Sequence, residues 1–191
     1  MRLPRLLVLT DRTVCEGPLV DVVAAAVTSG ARAIVLREKD LPHAERARIA
    51  GQLRSVLDLV EGVLVLAGPR GDAVHLSSRD PLPSPRPPLV GRSCHDADEV
   101  ARAGAEGCDY VTVSPVFPTA SKPGYGPALG PGGLAALLSG RSPAYALGGV
   151  LPEHVAPCRA AGAHGVAVMG PVMREPQIVS RYLDALAKVP S

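Results

Sequence analysis

The chain has 191 residues and a formal net charge of +2, with no basic run longer than a few residues, which argues against a nucleic-acid or membrane-surface partner. Hydrophobic residues make up 47% but aromatics only 3%, so the core must rest on Ala, Val and Leu, and little is available for base stacking. The length suits a single domain over 1–191 with a full core, and Cys15, Cys94, Cys108 and Cys158 lie too far apart for a CxxC metal site, which points to buried thiols in a reducing cytoplasm.

The N-terminal apolar run is too short to span a membrane and lacks a small-residue cleavage site, so residues 6–9 read as the first strand, followed by Asp11 and Arg12. Residues 18–29 carry Leu19, Val22, Val23, Ala26 and Val27 at helical spacing, with Pro18 in the first turn. An apolar run at 33–36 then ends abruptly in Arg37, Glu38, Lys39 and Asp40. A second helix is expected over 42–59 and a third strand over 62–67. Further strands are expected at 73–76, 90–93, 109–113, 144–147 and 165–169, and further helices at 96–104, 134–138, 152–161 and 175–188. Asp96 followed by Glu99 is a capping-box start, whereas Pro157 sits awkwardly within its helix.

The strongest architectural signal is a repeat. Ser29-Gly30-Ala31, Ala103-Gly104-Ala105 and Ala161-Gly162-Ala163 each end a helical pattern and precede an apolar strand. Eight strand candidates, nearly all followed by helices, favour an α/β fold of the (β/α)8 TIM-barrel type over an open sheet. Only 68–72 separate strands three and four, and 81–88 (PLPSPRPP) is an extended linker, so the helices after strands three and four are expected to be shortened or missing. The side left thin near 68–72 is a candidate surface for a homo-oligomer.

In such a barrel the active site gathers the residues just beyond the strands' C-terminal ends. These are Arg37 and Lys39; His75 and Asp80; Ser93 and His95; Thr119, Ser121 and Lys122; Gly148 and Gly149; and Gly170. Hydroxyls beside a cation suit an anionic oxygen ligand, and the loops after strands seven and eight commonly seat a phosphate. Bland alternatives stand beside each of these. The REKD run could be a surface salt-bridge cluster, His95 a helix-start surface residue, and Gly148-Gly149 only a turn. His154 and His164 read as structural or exposed.

The segments LTDR at 9–12, LREKD at 36–40, HLSSRD at 75–80, GRSCH at 91–95, DYVTVSPVFPTASK at 109–122, ALGGV at 146–150 and GVAVMG at 165–170 resemble, in order, the thiamine phosphate synthase and thiazole tautomerase (TenI) family. The resemblance implies a (β/α)8 barrel of thiamin biosynthesis that acts on thiazole phosphates. Arg37 and Lys39 would hold the pyrimidine's diphosphate or a substrate carboxylate. Thr119, Ser121 and Lys122 would also contact phosphate, while Gly149, Met169 and Gly170 would bind the thiazole phosphate; Ser93 and Gly148, from the strand-end list, complete the expected substrate-binding set.

Two chemistries compete within that family. The synthase ionises a pyrimidine methyl diphosphate with magnesium assistance and the thiazole nitrogen captures the cation, whereas the tautomerase moves a proton to aromatise the thiazole. This chain has Val35 where the synthase pattern has Gln, and Ala67-Gly68-Pro69 where it has an Asn-Asp pair bearing a magnesium ligand; Asp80 matches the remaining acidic ligand. The expectation is therefore a TenI-like isomerase with His95 as acid/base and no cofactor. Thiamine phosphate synthase, a transferase in which magnesium would use Asp80, is the alternative; a non-catalytic or regulatory phosphate-binding barrel is the other.

Overall fold

The computed structural model describes residues 3–119, 127–138 and 142–189. Eight strands, β1 (Leu6–Leu9), β2 (Ala33–Leu36), β3 (Val63–Ala67), β4 (Ala73–Leu76), β5 (Leu89–Cys94), β6 (Tyr110–Val113), β7 (Ala144–Leu147) and β8 (Gly165–Val168), close into a parallel barrel in sequence order. Closure is made by β1 against β8, with Leu7 opposite Ala167. The (β/α)8 expectation holds.

Strand side chains alternate between two layers. Leu7, Leu9, Val35, Val65, Tyr110, Tyr145 and Ala167 pack inside the barrel. Leu6, Val8, Ile34, Leu36, Val111 and Val166 face outward and form the larger core beneath the helices. Those helices are α1 (Leu19–Thr28), α2 (His43–Asp58), α3 (Ala97–Ala105), α4 (Gly130–Leu137), α5 (Val155–Ala160), α6 (Gly170–Arg174) and α7 (Val179–Ala187). None is long and apolar enough to cross a membrane.

Local chemistry accounts for most helix ends. Gly30 and Gly162 stop α1 and α5 with φ of +111° and +95°, as their Gly-Ala repeats require. The middle copy behaves differently: Gly104 is helical, and the turn falls at Gly107, φ +70°. Pro157 lies in the first turn of α5, where its missing N–H leaves no helical bond unmade. The final helix expected over 175–188 is divided into a 3₁₀ turn begun by Pro176 and then α7, while α6, with Pro171 in its first turn, lies ahead of that range, where no helix is expected.

No helix follows β3 or β4, as the short connections foretell. Gly68 and Gly71, φ +108° and +134°, turn the chain between β3 and β4, and the Gly68 N–H returns to the His75 carbonyl at 2.9 Å. Arg92 secures the loop after β4. Its side chain is fully buried and donates to the carbonyls of Ser77 (3.0 Å) and Asp80 (2.7 Å) while pairing with Glu106 beside α3 at 2.5 Å. Loop carbonyls that would otherwise lie buried and unpaired are thereby satisfied.

Candidate active site

The C-terminal mouth of the barrel opens as a cleft of about 850 Å³. Arg37, Lys39, Ser93, His95, Thr119, Gly148, Gly149, Met169 and Gly170 all line it. Ser121 and Lys122 lie outside the described residues. Leu9, Ala67, Leu147 and Ala167 supply an apolar part of the wall. Size and mixed lining suit small-molecule ligands.

The REKD run divides its work. Glu38 is buried and accepts hydrogen bonds from Thr10 Oγ1 (2.8 Å) and the Arg12 backbone N–H (3.2 Å). Arg12 also pairs with Asp40 at 2.7 Å, so the two acids of the run are bound by one arginine. Arg37 and Lys39 make longer pairs instead, 3.7 Å to Asp11 and 3.8 Å to Asp80. The surface-cluster alternative thus describes Glu38 and Asp40, whereas Arg37 and Lys39 keep weakly held charges at the cleft.

Asp80 is not itself on the cleft wall, but its partners Lys39 and Ser77 are. Burial pushes its carboxyl pKa up, yet hydrogen bonds from the Ser77 backbone N–H and the nearby charges of Lys39 and Arg92 hold it below the ordinary range. Asp80 is therefore an ionised carboxylate at neutral pH. Val35 is fully buried in the inner layer, and Ala67 forms part of the cleft's apolar wall.

His95 lines the cleft with Nδ1 2.9 Å from Glu99 Oε2, which also accepts its backbone N–H at 2.8 Å. The capping motif is thus shifted: Asp96 caps the Glu99 N–H as expected, but Glu99 reaches back to His95 rather than to Asp96. Cys94 is buried, with burial pushing its thiol up to about 12, so it is inert packing.

On the far wall, Gly148 and Gly149 have φ of +91° and +64°. A Cβ on Gly148 would sit 2.9 Å from Pro115 Cα, and one on Gly149 would run into the backbone of Phe117 and Pro118. These glycines let the β7 loop lie directly on the β6 loop, a contact sealed by Val116 N–H to Leu147 O and Phe117 N–H to Gly148 O, both 2.9 Å. His154 is structural, stacked on Phe117 with ring centroids 4.0 Å apart. His164 contacts the Leu3 carbonyl at 3.2 Å and the edge of Tyr145.

Strand-end reasoning names His75 and Ser93 but misses Tyr110, which the structure joins to them. His75 is buried at the cleft floor, its Nδ1 3.0 Å from Tyr110 Oη and its Nε2 2.9 Å from Ser93 Oγ. Burial and the cations Lys39, Arg37 and Arg92 push it down to about 3, so the ring is neutral. Period-two parity was the available signal, because His75, Ser93 and Tyr110 all fall on inward positions.

A family model described as thiamine monophosphate synthase matches residues 6–172. The chain is 38% identical over 193 residues to a thiamine-phosphate synthase of Methanoculleus marisnigri, covering 92% of this chain and 90% of that protein. It is 33% identical over 199 residues to one of Methanoregula boonei, covering 96% and 92%. A solved structure of a thiamine phosphate pyrophosphorylase from Pyrococcus furiosus is similar over 98% of this chain and 97% of that one, with TM-score 0.84 and 26% identity.

These findings overturn the expectation of an isomerase. The relatives carry synthase names, a transferase activity, and their similarity spans the positions from which the tautomerase was argued. The isomerase reading rests on Val35 and Gly68, positions whose roles in this chain are structural. Val35 serves inner-layer packing and Gly68 the tight β3–β4 turn.

Proposed function

The chain belongs to the thiamine monophosphate synthase family, and from that premise we propose that it is a thiamine phosphate synthase joining a pyrimidine methyl diphosphate to a thiazole phosphate. In this reaction the bond from the pyrimidine methylene carbon to the diphosphate oxygen breaks, the thiazole nitrogen forms the new C–N bond, and inorganic diphosphate leaves. No net proton transfer is needed, so the role first assigned to His95 is not required by the chemistry. Its place on the wall instead suits contact with a bound substrate.

The observation that carries this reading is that Arg37 and Lys39 line one cleft together with the Gly148–Gly149 loop and Gly170, the Arg37 guanidinium lying 2.6 Å from the Met169 sulfur beside Gly170. Two phosphorylated substrates can then be held in one cavity with their reacting ends inward. Arg37 and Lys39 bind the diphosphate and stabilise the charge that grows on it as the bond breaks. Thr119, Gly149, Met169 and Gly170 hold the thiazole phosphate. Leu9, Leu147 and Ala167 keep water from the cationic methylene carbon, which would otherwise be hydrolysed.

Magnesium, implied by the family, fits in a limited way. Among the described residues no three His, Cys, Asp or Glu side chains cluster as a protein-only metal cage. Asp80 is nevertheless an ionised carboxylate beside the proposed diphosphate site, and one carboxylate with substrate phosphates and waters is a usual magnesium environment. When bound there, the ion would neutralise charge on the leaving diphosphate. Incubating the purified protein with both substrates and magnesium, and following thiamine phosphate by mass, tests the assignment.

A further inference from the structure

At the cleft floor the sequence places two polar residues and a glycine on adjoining strands in one register. His75 on β4 is level with Gly91 on β5, which is level with Tyr110 on β6. A Cβ at Gly91 would fall inside the Tyr110 ring. Glycine therefore lets the tyrosine cross over β5 and stack on His75, with ring centroids 5.5 Å apart and planes inclined at 27°. Ser93, two residues beyond Gly91, meets the other edge of the imidazole and faces the cleft.

The hydrogen-bond directions follow from counting donors and acceptors. Tyr110 is fully buried, and His75 Nδ1 is the one hydrogen-bond partner of its hydroxyl among the described residues. A buried phenol proton without an acceptor is costly, so Tyr110 donates and Nδ1 accepts. A neutral imidazole that accepts at Nδ1 carries its proton on Nε2, and that N–H donates to Ser93 Oγ. Ser93 must then direct its own proton elsewhere. Thr112, level with Ser93 on β6, does not take it, since Thr112 Oγ1 has no hydrogen-bond partner among the described residues.

We propose that Tyr110 and His75 are positioning residues that fix the Ser93 hydroxyl as a hydrogen-bond donor into the cleft, aimed at an anionic oxygen of the substrate diphosphate. The proposal rests on reading this cleft as the diphosphate site. The neighbouring charges favour that acceptor, because Arg37 and Lys39 are close enough to act on His75 electrostatically and give this part of the floor a positive field. The opposite tautomer would leave Ser93 oxygen lone pairs facing the anion and the Tyr110 proton buried without a partner. A fixed donor costs no reorganisation when charge develops on the leaving group.

The first test does not depend on turnover. Long-range proton–nitrogen spectra of the ¹⁵N-histidine-labelled protein at neutral pH, with the His75 signals assigned from their loss in His75→Gln, should show a proton on Nε2 and an unprotonated Nδ1. A proton on Nδ1, or on both nitrogens, would overturn the proposal even if the enzyme makes thiamine phosphate. The second test measures inorganic diphosphate binding by calorimetry across a cycle. Tyr110→Phe should weaken binding about tenfold in the wild-type background and have no further effect on Ser93→Ala. Equal losses in both backgrounds would mean that Tyr110 does not act through Ser93. Correct tautomer and coupling without any thiamine phosphate formation would sustain the positioning role and overturn the synthase assignment alone.

Discussion

The Lys39 ammonium, at the end of β2, lies 3.8 Å from Asp80 Oδ2 in the loop after β4, a contact made across β3. The absence of helices after β3 and β4 brings the two loops together, and Arg92 holds the Asp80 loop from beneath. The cation proposed for the diphosphate and the carboxylate proposed for its metal thus meet at the edge of the cleft.

Lys39→Gln should weaken productive use of the pyrimidine diphosphate. A charge-assisted hydrogen bond is worth roughly 1.5–3 kcal/mol, so kcat/KM should fall by about 10–100-fold. Steady-state kinetics with the thiazole phosphate saturating would check this, and KM for the thiazole phosphate should change little.

Asp80→Asn should raise the magnesium concentration needed for half-maximal rate by roughly tenfold or more, because one anionic ligand is lost. Titrating magnesium at fixed substrate concentrations measures it. An unchanged magnesium dependence would remove Asp80 from the metal's surroundings.

Arg92→Met should destabilise the fold rather than the chemistry. It leaves the Glu106 carboxylate and the carbonyls of Ser77 and Asp80 without their buried partner, a loss of about 3–5 kcal/mol. Urea denaturation would show the shift in midpoint.

His75 should impose an acid-side loss of stability. Its folded pKa is about 3 against 6.5 for the ordinary group, so below pH 6.5 the unfolded chain takes up a proton that the folded chain refuses. Stability from this residue is therefore complete above pH 6.5 and is lost as pH falls from 6.5 toward 3, at about 1.4 kcal/mol per pH unit. Denaturation at pH 7 and pH 5 should show the wild type losing about 2 kcal/mol more than His75→Gln.

Much of this was legible in the sequence because the barrel repeats simple units. Apolar four-residue runs fixed the strands, Gly30 and Gly162 marked helix stops, and the short 68–72 connection exposed the missing helix. The strand-end rule also collected Arg37, Lys39, Ser93, His95, Thr119, Gly148, Gly149 and Gly170 onto one cleft. Contacts between distant segments were less accessible. Nothing near Arg12 in sequence announces that it binds Glu38 and Asp40, and Arg92 reads as a cleft candidate's neighbour until its outward parity and burial are known. The reaction was misjudged because it was argued from two positions, Val35 and Gly68, whose packing and turning roles do not themselves distinguish a transferase from an isomerase.

The most direct measurement is product formation by the purified protein given pyrimidine methyl diphosphate, thiazole phosphate and magnesium, followed by mass spectrometry together with released diphosphate. The account predicts thiamine phosphate and diphosphate in equal amounts, neither appearing when the pyrimidine substrate is omitted, and both strongly reduced in Lys39→Gln. Tight binding of both substrates without either product would contradict it.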